Sequence, residues 1–459
     1  MWRHDARRSA TTDEKLPDAL HLQWIIELPR TRPAWPRQAA RGFMSFDVSY
    51  KPIVLDKRMF VGSPNDHSVT AWDIDTGKRL WRFFADGPVR FAPVGWKGKV
   101  YFVSDDGWLY CLDAETGERK WRVLGGADNR KIIGSGKLVS LWPARGGAVL
   151  ADGTIYFGAS IWPFVGSFIR AVDAESGKCL WTNSGTGADF QPASSLWGSG
   201  LLVRPGMYGN VPQGYLVVAD KRLGVPQGRN VAQLYDRLSG EMLWHKIYGM
   251  HVRHDSSDYW FALTAGRDLF SGRLGHSGVN IDTARISYRN PVGDGITSDK
   301  VIYRISGGGV SGRSAVPGDR YKQLWKHQLK TTAAATRGPG SYIKAGDNLY
   351  APGANGNVLI VKDVDTDKRT DVSGPKLPGG QVWEMLTADG KLLVVTREGK
   401  IACYGAPKID PKTHAMKKPT PLGAASAAAK FIIKATGQKA GYCLVLGLTD
   451  GELTGGLVA

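Results

Sequence analysis

The chain has 459 residues, with 58 Gly, 16 Trp and four scattered Cys, too few and too dispersed for a disulfide framework. Its 60 Lys and Arg against 42 Asp and Glu give a formal net charge of +18. No dense basic tract or nucleic-acid-reading motif accompanies that charge, and no apolar run reaches transmembrane length, so neither a specific nucleic-acid partner nor a membrane span is expected.

In chain order, residues 1–19, MWRHDARRSATTDEKLPDA, are polar and lack the apolar core of an export signal. LHLQWIIELP at 20–29 reads as a strand carrying Trp24, with no strands of its own before it. It is expected to complete the last unit of a closed ring.

The repeat that defines the ring comes next. AWDIDTGKRLW (71–81), CLDAETGERKW (111–121), AVDAESGKCLW (171–181) and LYDRLSGEMLW (234–244) share one spacing. In each, Asp is followed three residues later by Thr or Ser, then Gly, then Trp four residues after the Gly. The Gly supplies the positive φ of a tight turn, and the Asp side chain can accept from the turn's own N–H groups. Trp81, Trp121, Trp181 and Trp244 then fall on the returning strand, where a large ring docks on the neighbouring unit; Trp325 holds the matching place further on.

Alternating strands precede each copy, as in KVYFVSDDGWLYCLD at 99–113, so one unit is a four-stranded antiparallel blade. The fold predicted is an all-β propeller, a single closed domain over residues 20–407, because closure hides the sheet edges. Units are placed at 48–83, 91–123, 146–182, 213–247, 259–287, 293–329, 341–372 and 382–404. The last has three strands, and Trp24's strand supplies the fourth. Eight blades are predicted, with seven as the alternative, since units five to seven have lost much of the motif.

Three blades place an Arg just ahead of the innermost strand: Arg90, Arg145 and Arg337. Ringed about one mouth of the axial channel, they would suit a carboxylate or phosphate ligand. The competing reading is that each pairs with an Asp of a neighbouring blade. Trp142 and Trp162, on long connections, are either stacking surfaces or inter-blade packing. HVRHDSSD puts His251 and His254 near Asp255 and Asp258, with His276 further on, and reads as a solvated loop; no metal site is predicted. Cys111, Cys179, Cys403 and Cys443 read as packed thiols, and no disulfide is expected between Cys111 and Cys403.

The DxxTGxxxW spacing resembles the repeat of the PQQ-like (quinoprotein-type) propellers, over roughly residues 20–405. That resemblance implies the propeller architecture and two kinds of activity: PQQ-dependent dehydrogenases and non-catalytic relatives such as the outer-membrane assembly lipoprotein. The dehydrogenases carry a vicinal Cys pair over the cofactor, Ca²⁺ held by Glu and Asn, and a catalytic Asp; this chain has no adjacent Cys. WRHDARRS resembles the opening such propellers carry behind an export signal, which suggests a start upstream of Met1 and a periplasmic location.

The tail changes character. KIDPKTHAMKKPTPLG at 408–423 reads as a linker, and AASAAAKFIIKATG at 424–437 as a helix stopped by Gly437. LVLGLTDGEL resembles the first motif of class I S-adenosylmethionine-dependent methyltransferases, with Gly447, Asp450 and Gly451 at the matching positions, so residues 424–459 are expected to start a Rossmann-like domain. No second strand or ribose-binding carboxylate follows. The function expected is a non-catalytic binding or scaffold module, a fragment of a propeller–methyltransferase fusion. A protein partner or small anionic ligand would bind at the propeller face, and the chain would be monomeric. The alternatives are a PQQ- and Ca²⁺-dependent alcohol or sugar dehydrogenase, and a methyltransferase that binds SAM in a longer chain.

Overall fold

The computed structural model describes residues 1–35, 44–134, 136–185, 188–190, 207–209, 211–228, 232–244, 262–271, 278–283, 286–287, 295–306, 308–330, 332–334, 340–415 and 427–438. Among these, eight antiparallel sheets are each built on four strands in meander order, giving the eight-bladed propeller expected. Blade 1 shows the pattern: Ile53–Leu55 innermost, then Arg58–Ser63, Ser68–Asp73 and Arg79–Phe84. Blades 2 to 7 span residues 94–124, 146–185, 217–244, 262–287, 296–328 and 343–376. Blade 8 takes Val382–Ala388, Lys391–Thr396 and Lys400–Gly405, and His21–Glu27 pairs with the last of these to close the ring.

Local chemistry explains why the motif is written as it is. Asp73 Oδ1 accepts from Thr76 N at 2.7 Å and Thr76 Oγ1 at 2.6 Å. Asp113, Asp173 and Asp236 do the same within their own turns. Those bonds stabilise the ionised carboxylate, and the hydrogen bonds from Thr116 and Ser176 hold Asp113 and Asp173 below the usual carboxylate range. Each turn ends on a Gly in the left-handed region, at φ +68° for Gly77 and +76° for Gly117.

The Gly has a second role, because the Trp of the preceding blade lies against it. A Cβ on Gly117 would sit 2.7 Å from the Trp81 ring, and one on Gly177 2.8 Å from Trp121. Each indole also donates across the seam: Trp24 to Ile74 O (3.0 Å), Trp81 to Ala114 O (3.2 Å), Trp121 to Glu175 O (3.1 Å) and Trp181 to Arg237 O (3.0 Å). A β-bulge sets the ring's aim. Ala71 pairs with Trp81 while Trp72 pairs with Arg79, so Leu80 is skipped and left 48% exposed. Trp244 occupies the equivalent place at the end of Met242–Trp244, paired with Leu234.

Blade 7 keeps the seam by other means. Its turn lacks the Gly, and the Arg369 guanidinium stacks over the Trp325 ring at 4.2 Å, anchored by a bond from Nε to Val364 O at 2.8 Å.

Residues 1–19, polar in sequence, are partly built into the ring: Trp2 and Arg8 are buried, and Thr11–Thr12 pairs in parallel with the innermost strand of blade 7. Two expectations need correction. Within the presumed linker, Lys412–Ala415 adds a fifth strand outside Trp24's strand, with His414 Nε2 2.9 Å from Thr76 O. Cys179 is exposed rather than packed, whereas Cys111 and Cys403 are buried free thiols. The chain divides into a first compact unit, residues 1–414, and a second, 415–459, in which the helix Ala427–Thr436 matches the one predicted. Gly447, Asp450, Gly451, Cys443 and the His251–His254–His276 group lie outside the described residues. No helix among the described residues is long and apolar enough to cross a membrane.

Candidate functional site: the axial channel

Strand direction alternates through each blade, so the loops between blades and those joining second to third strands share one face. Four charged side chains converge there. Arg90 lies on the connection from blade 1 to blade 2, and Arg145 precedes the innermost strand of blade 3. Asp105 sits between the second and third strands of blade 2, and Asp47 on the long connection into blade 1. Asp105 receives Arg90 Nε at 2.6 Å and, two-pronged, Arg145 Nε and Nη2 at 2.9 Å each. Asp47 Oδ2 receives the other arm of Arg90 at 2.5 Å and the Ala34 N–H at 2.8 Å. No side chain of the four is more than 3% exposed.

Two carboxylates thus neutralise two guanidiniums within one buried cluster. Burial alone would push the Asp105 carboxyl up, but Arg145 and Arg90 outweigh it and bring it down to about 2. Arg90 is raised above the ordinary arginine value: burial opposes its charge, and Asp105 and Asp47 overcome that penalty. Arg90 and Arg145 meet on Asp105, and their guanidiniums are paired with Asp side chains, as in the competing reading of these arginines. Arg337 lies outside the described residues. Trp142 is packed rather than displayed: its indole donates to Val165 O at 2.7 Å and its ring meets Phe168 edge-on. Trp162, 42% exposed, stacks on Phe164.

Deeper along the axis, the channel is filled by the chain's own first residues. The carbonyls of Ala6, Arg7, Ser9 and Ala10 accept from Val218, Thr264, Thr297 and Lys344, so the segment bonds in turn to blades 4, 5, 6 and 7. Trp2 stacks on Tyr215 at 3.9 Å, which meets Phe91 edge-on, which in turn stacks on Phe46. Arg8, wholly buried, donates to Leu216 O, Ala148 O and Trp2 O. Burial lowers it to about 10, still charged at neutral pH. Lys51 Nζ donates to the carbonyls of Phe46 and Ser49. Burial brings it down to about 8, against the opposing pull of Glu384 and Asp47.

This arrangement was not read from the sequence. The polarity of residues 1–19 masked a segment whose carbonyls and guanidinium satisfy inner-strand groups that would otherwise lack partners. Asp47 and Asp105 were missed; Asp47, a lone carboxylate in the apolar stretch GFMSFDVSY, carried the available signal, whereas Asp105 sits beside Asp106 in a turn and carried none.

Among the described residues, those around the axis do not fit PQQ with Ca²⁺. Arg90 and Arg145 are paired with Asp47 and Asp105, and aromatic rings and the segment 1–12 occupy the axis. Among the described residues, no group of three His, Cys, Asp or Glu could hold a metal ion.

Comparison with known proteins points to the propeller throughout. The family profile described as outer membrane protein assembly factor BamB matches residues 23–189 and 165–371. The dehydrogenase subunit of a quinone alcohol dehydrogenase from Gluconacetobacter polyoxogenes is 32% identical over 149 residues, covering 28% of this chain and 19% of that relative. The quinohemoprotein alcohol dehydrogenase ADH-IIG of Pseudomonas putida is 33% identical over 149 residues, 29% of this chain and 19% of its own length. The match therefore spans about a fifth of these relatives. Among solved structures, BamB from Moraxella catarrhalis superposes with a TM-score of 0.52 at 13% identity, over 84% of this chain and 100% of that one. The quinohemoprotein alcohol dehydrogenase of Comamonas testosteroni gives 0.53 at 14% identity, over 93% and 83%.

Proposed function

The chain belongs to the PQQ-repeat family described as outer membrane protein assembly factor BamB, and from that premise we propose that it is a non-catalytic binding and scaffold module. The observation that carries this reading is the axis: residues 1–12 run through it, and its charged mouth is internally neutral. A family member described as an assembly factor works through partners, and the proposed partner is a protein that meets the propeller face.

The second reading, a PQQ-dependent alcohol dehydrogenase, is favoured by the 32% identity to a quinone alcohol dehydrogenase subunit over 149 residues. A dye-linked assay with primary alcohols, after incubation with PQQ and Ca²⁺, separates the two. The binding-module reading expects no alcohol-dependent dye reduction, and turnover that requires added PQQ would overturn it. Residues 424–459 carry a separate proposal, the opening of a SAM-binding domain at Gly447, Asp450 and Gly451. It is tested by whether the coding sequence continues a Rossmann frame past Ala459 and whether that longer chain binds SAM.

A further inference from the structure

At the face carrying the turns between first and second strands, opposite the Asp47–Arg90–Asp105–Arg145 cluster, the channel opens into a cavity of about 490 Å³. Inner strands of blades 1, 7 and 8 form its walls, with Ile53, Leu55, Ile343 and Leu386 supplying apolar surface. The carboxyl of Glu384, only 2% exposed, stands in the wall, and its Oε2 accepts no hydrogen bond within the protein. Gly340 makes room for it: a Cβ there would lie 2.9 Å from Glu384 Cγ. Three further carboxylates, Glu14, Asp56 and Asp389, line the same cavity.

The cations nearby are mostly committed. Arg3 gives its Nε and Nη2 to the carbonyls of Arg8 and Gly295, and Lys57 lies 3.9 Å from Asp75. Lys391 Nζ sits 3.4 Å from Asp389 but closer, at 2.6 Å, to Asp75. Burial lowers His4 below its ordinary value. The cavity is thus lined by four carboxyl side chains, Glu14, Asp56, Glu384 and Asp389, alongside Arg3, His4 and Lys57.

We propose that this cavity is a binding site for a small organic cation, a primary amine on an apolar body, with Glu384 as its buried counter-ion. A concave cavity of this size that joins apolar walls to a few convergent polar groups is how small-molecule sites are generally built. A ligand ammonium would complete the hydrogen bonding that Glu384 Oε2 lacks, while its body covers the leucine and isoleucine walls. Burial raises Glu384 to about 8, despite Lys51, and a cation seated beside it would bring it down again. The site goes beyond the partner-binding reading and shares no residue with the arginine cluster, so either can fail alone.

The test is calorimetric titration of the full chain at pH 8 with 2-phenylethylamine, alongside 2-phenylethanol and 3-phenylpropionate. Saturable one-to-one binding of the amine alone is expected, weakened at least tenfold in Glu384→Gln. Leu386→Trp, which narrows the cavity without touching the carboxyl, is expected to abolish it and serves if Glu384→Gln misfolds. The proposal is overturned by no binding of the amine, by equal binding of all three probes, or by unchanged affinity in a folded Glu384→Gln chain.

Discussion

Replacing Asp105 by Asn tests whether the channel-mouth arginines serve structure. The substitution keeps the shape of the side chain and removes its charge, leaving the buried guanidiniums of Arg90 and Arg145 with Asp47 as the single carboxylate of the cluster. Removing one partner from a buried ion-pair network typically costs about 3–5 kcal/mol, because the remaining charges stay desolvated. The carboxyl's own titration gives a second figure. A drop from 3.8 to about 2 corresponds to roughly 2–3 kcal/mol of preference for the ionised form in the folded state. The folded value lies below the unfolded one, so this contribution is complete above about pH 4 and is lost as pH falls toward 2. Urea unfolding at pH 7 should show the Asn variant destabilised by a few kcal/mol, and its stability should lack the acid-limb loss. A variant within about 1 kcal/mol of the parent at pH 7, with the same acid limb, would refute the reasoning.

Other perturbations probe other parts of the account. Arg8→Ala removes a guanidinium that serves three carbonyls and should cost about 3 kcal/mol; hydrogen exchange should quicken in blades 4 to 7 more than in blades 1 and 2. Gly117→Ala meets both a left-handed backbone and the Trp81 ring and should lose about 2–3 kcal/mol, whereas Gly98→Ala, at φ +67° with nothing within 4 Å, should lose about 1 by thermal unfolding. His67 Nε2 lies 2.9 Å from Lys137 Nζ, and burial, then that lysine, lower it to about 4. Its folded value lies below the unfolded 6.5, so stability should fall as pH drops from about 6.5 toward 4, and His67→Gln should flatten that limb of the pH profile.

Blade architecture was legible because the DxxTGxxxW spacing is a local code. One carboxylate, one left-handed glycine and one ring write both the turn and the seam, and Trp24 announced ring closure in the same terms. Blade 7 was weakly legible for the same reason: Arg369 replaced the glycine as the surface for Trp325, and an arginine in a turn carries no such signature. The site was half legible. Arg90 and Arg145 could be placed by their offset from an inner strand, but their partners lie 15 to 43 residues away on other connections, at separations no local pattern encodes. Residues 1–12 were the largest miss. Their polarity is that of a surface segment, and only the ring of inner-strand N–H groups around them turns the same residues into an axial filling.

The central claim is that this propeller keeps the quinoprotein fold while its axis is occupied by its own chain. Spectroscopic titration of the full-length protein with PQQ in the presence of Ca²⁺, read together with the melting temperature, addresses it most directly. The account predicts no saturable absorbance change and an unmoved melting temperature well above micromolar PQQ. One-to-one uptake that raises the melting temperature with PQQ concentration would contradict it.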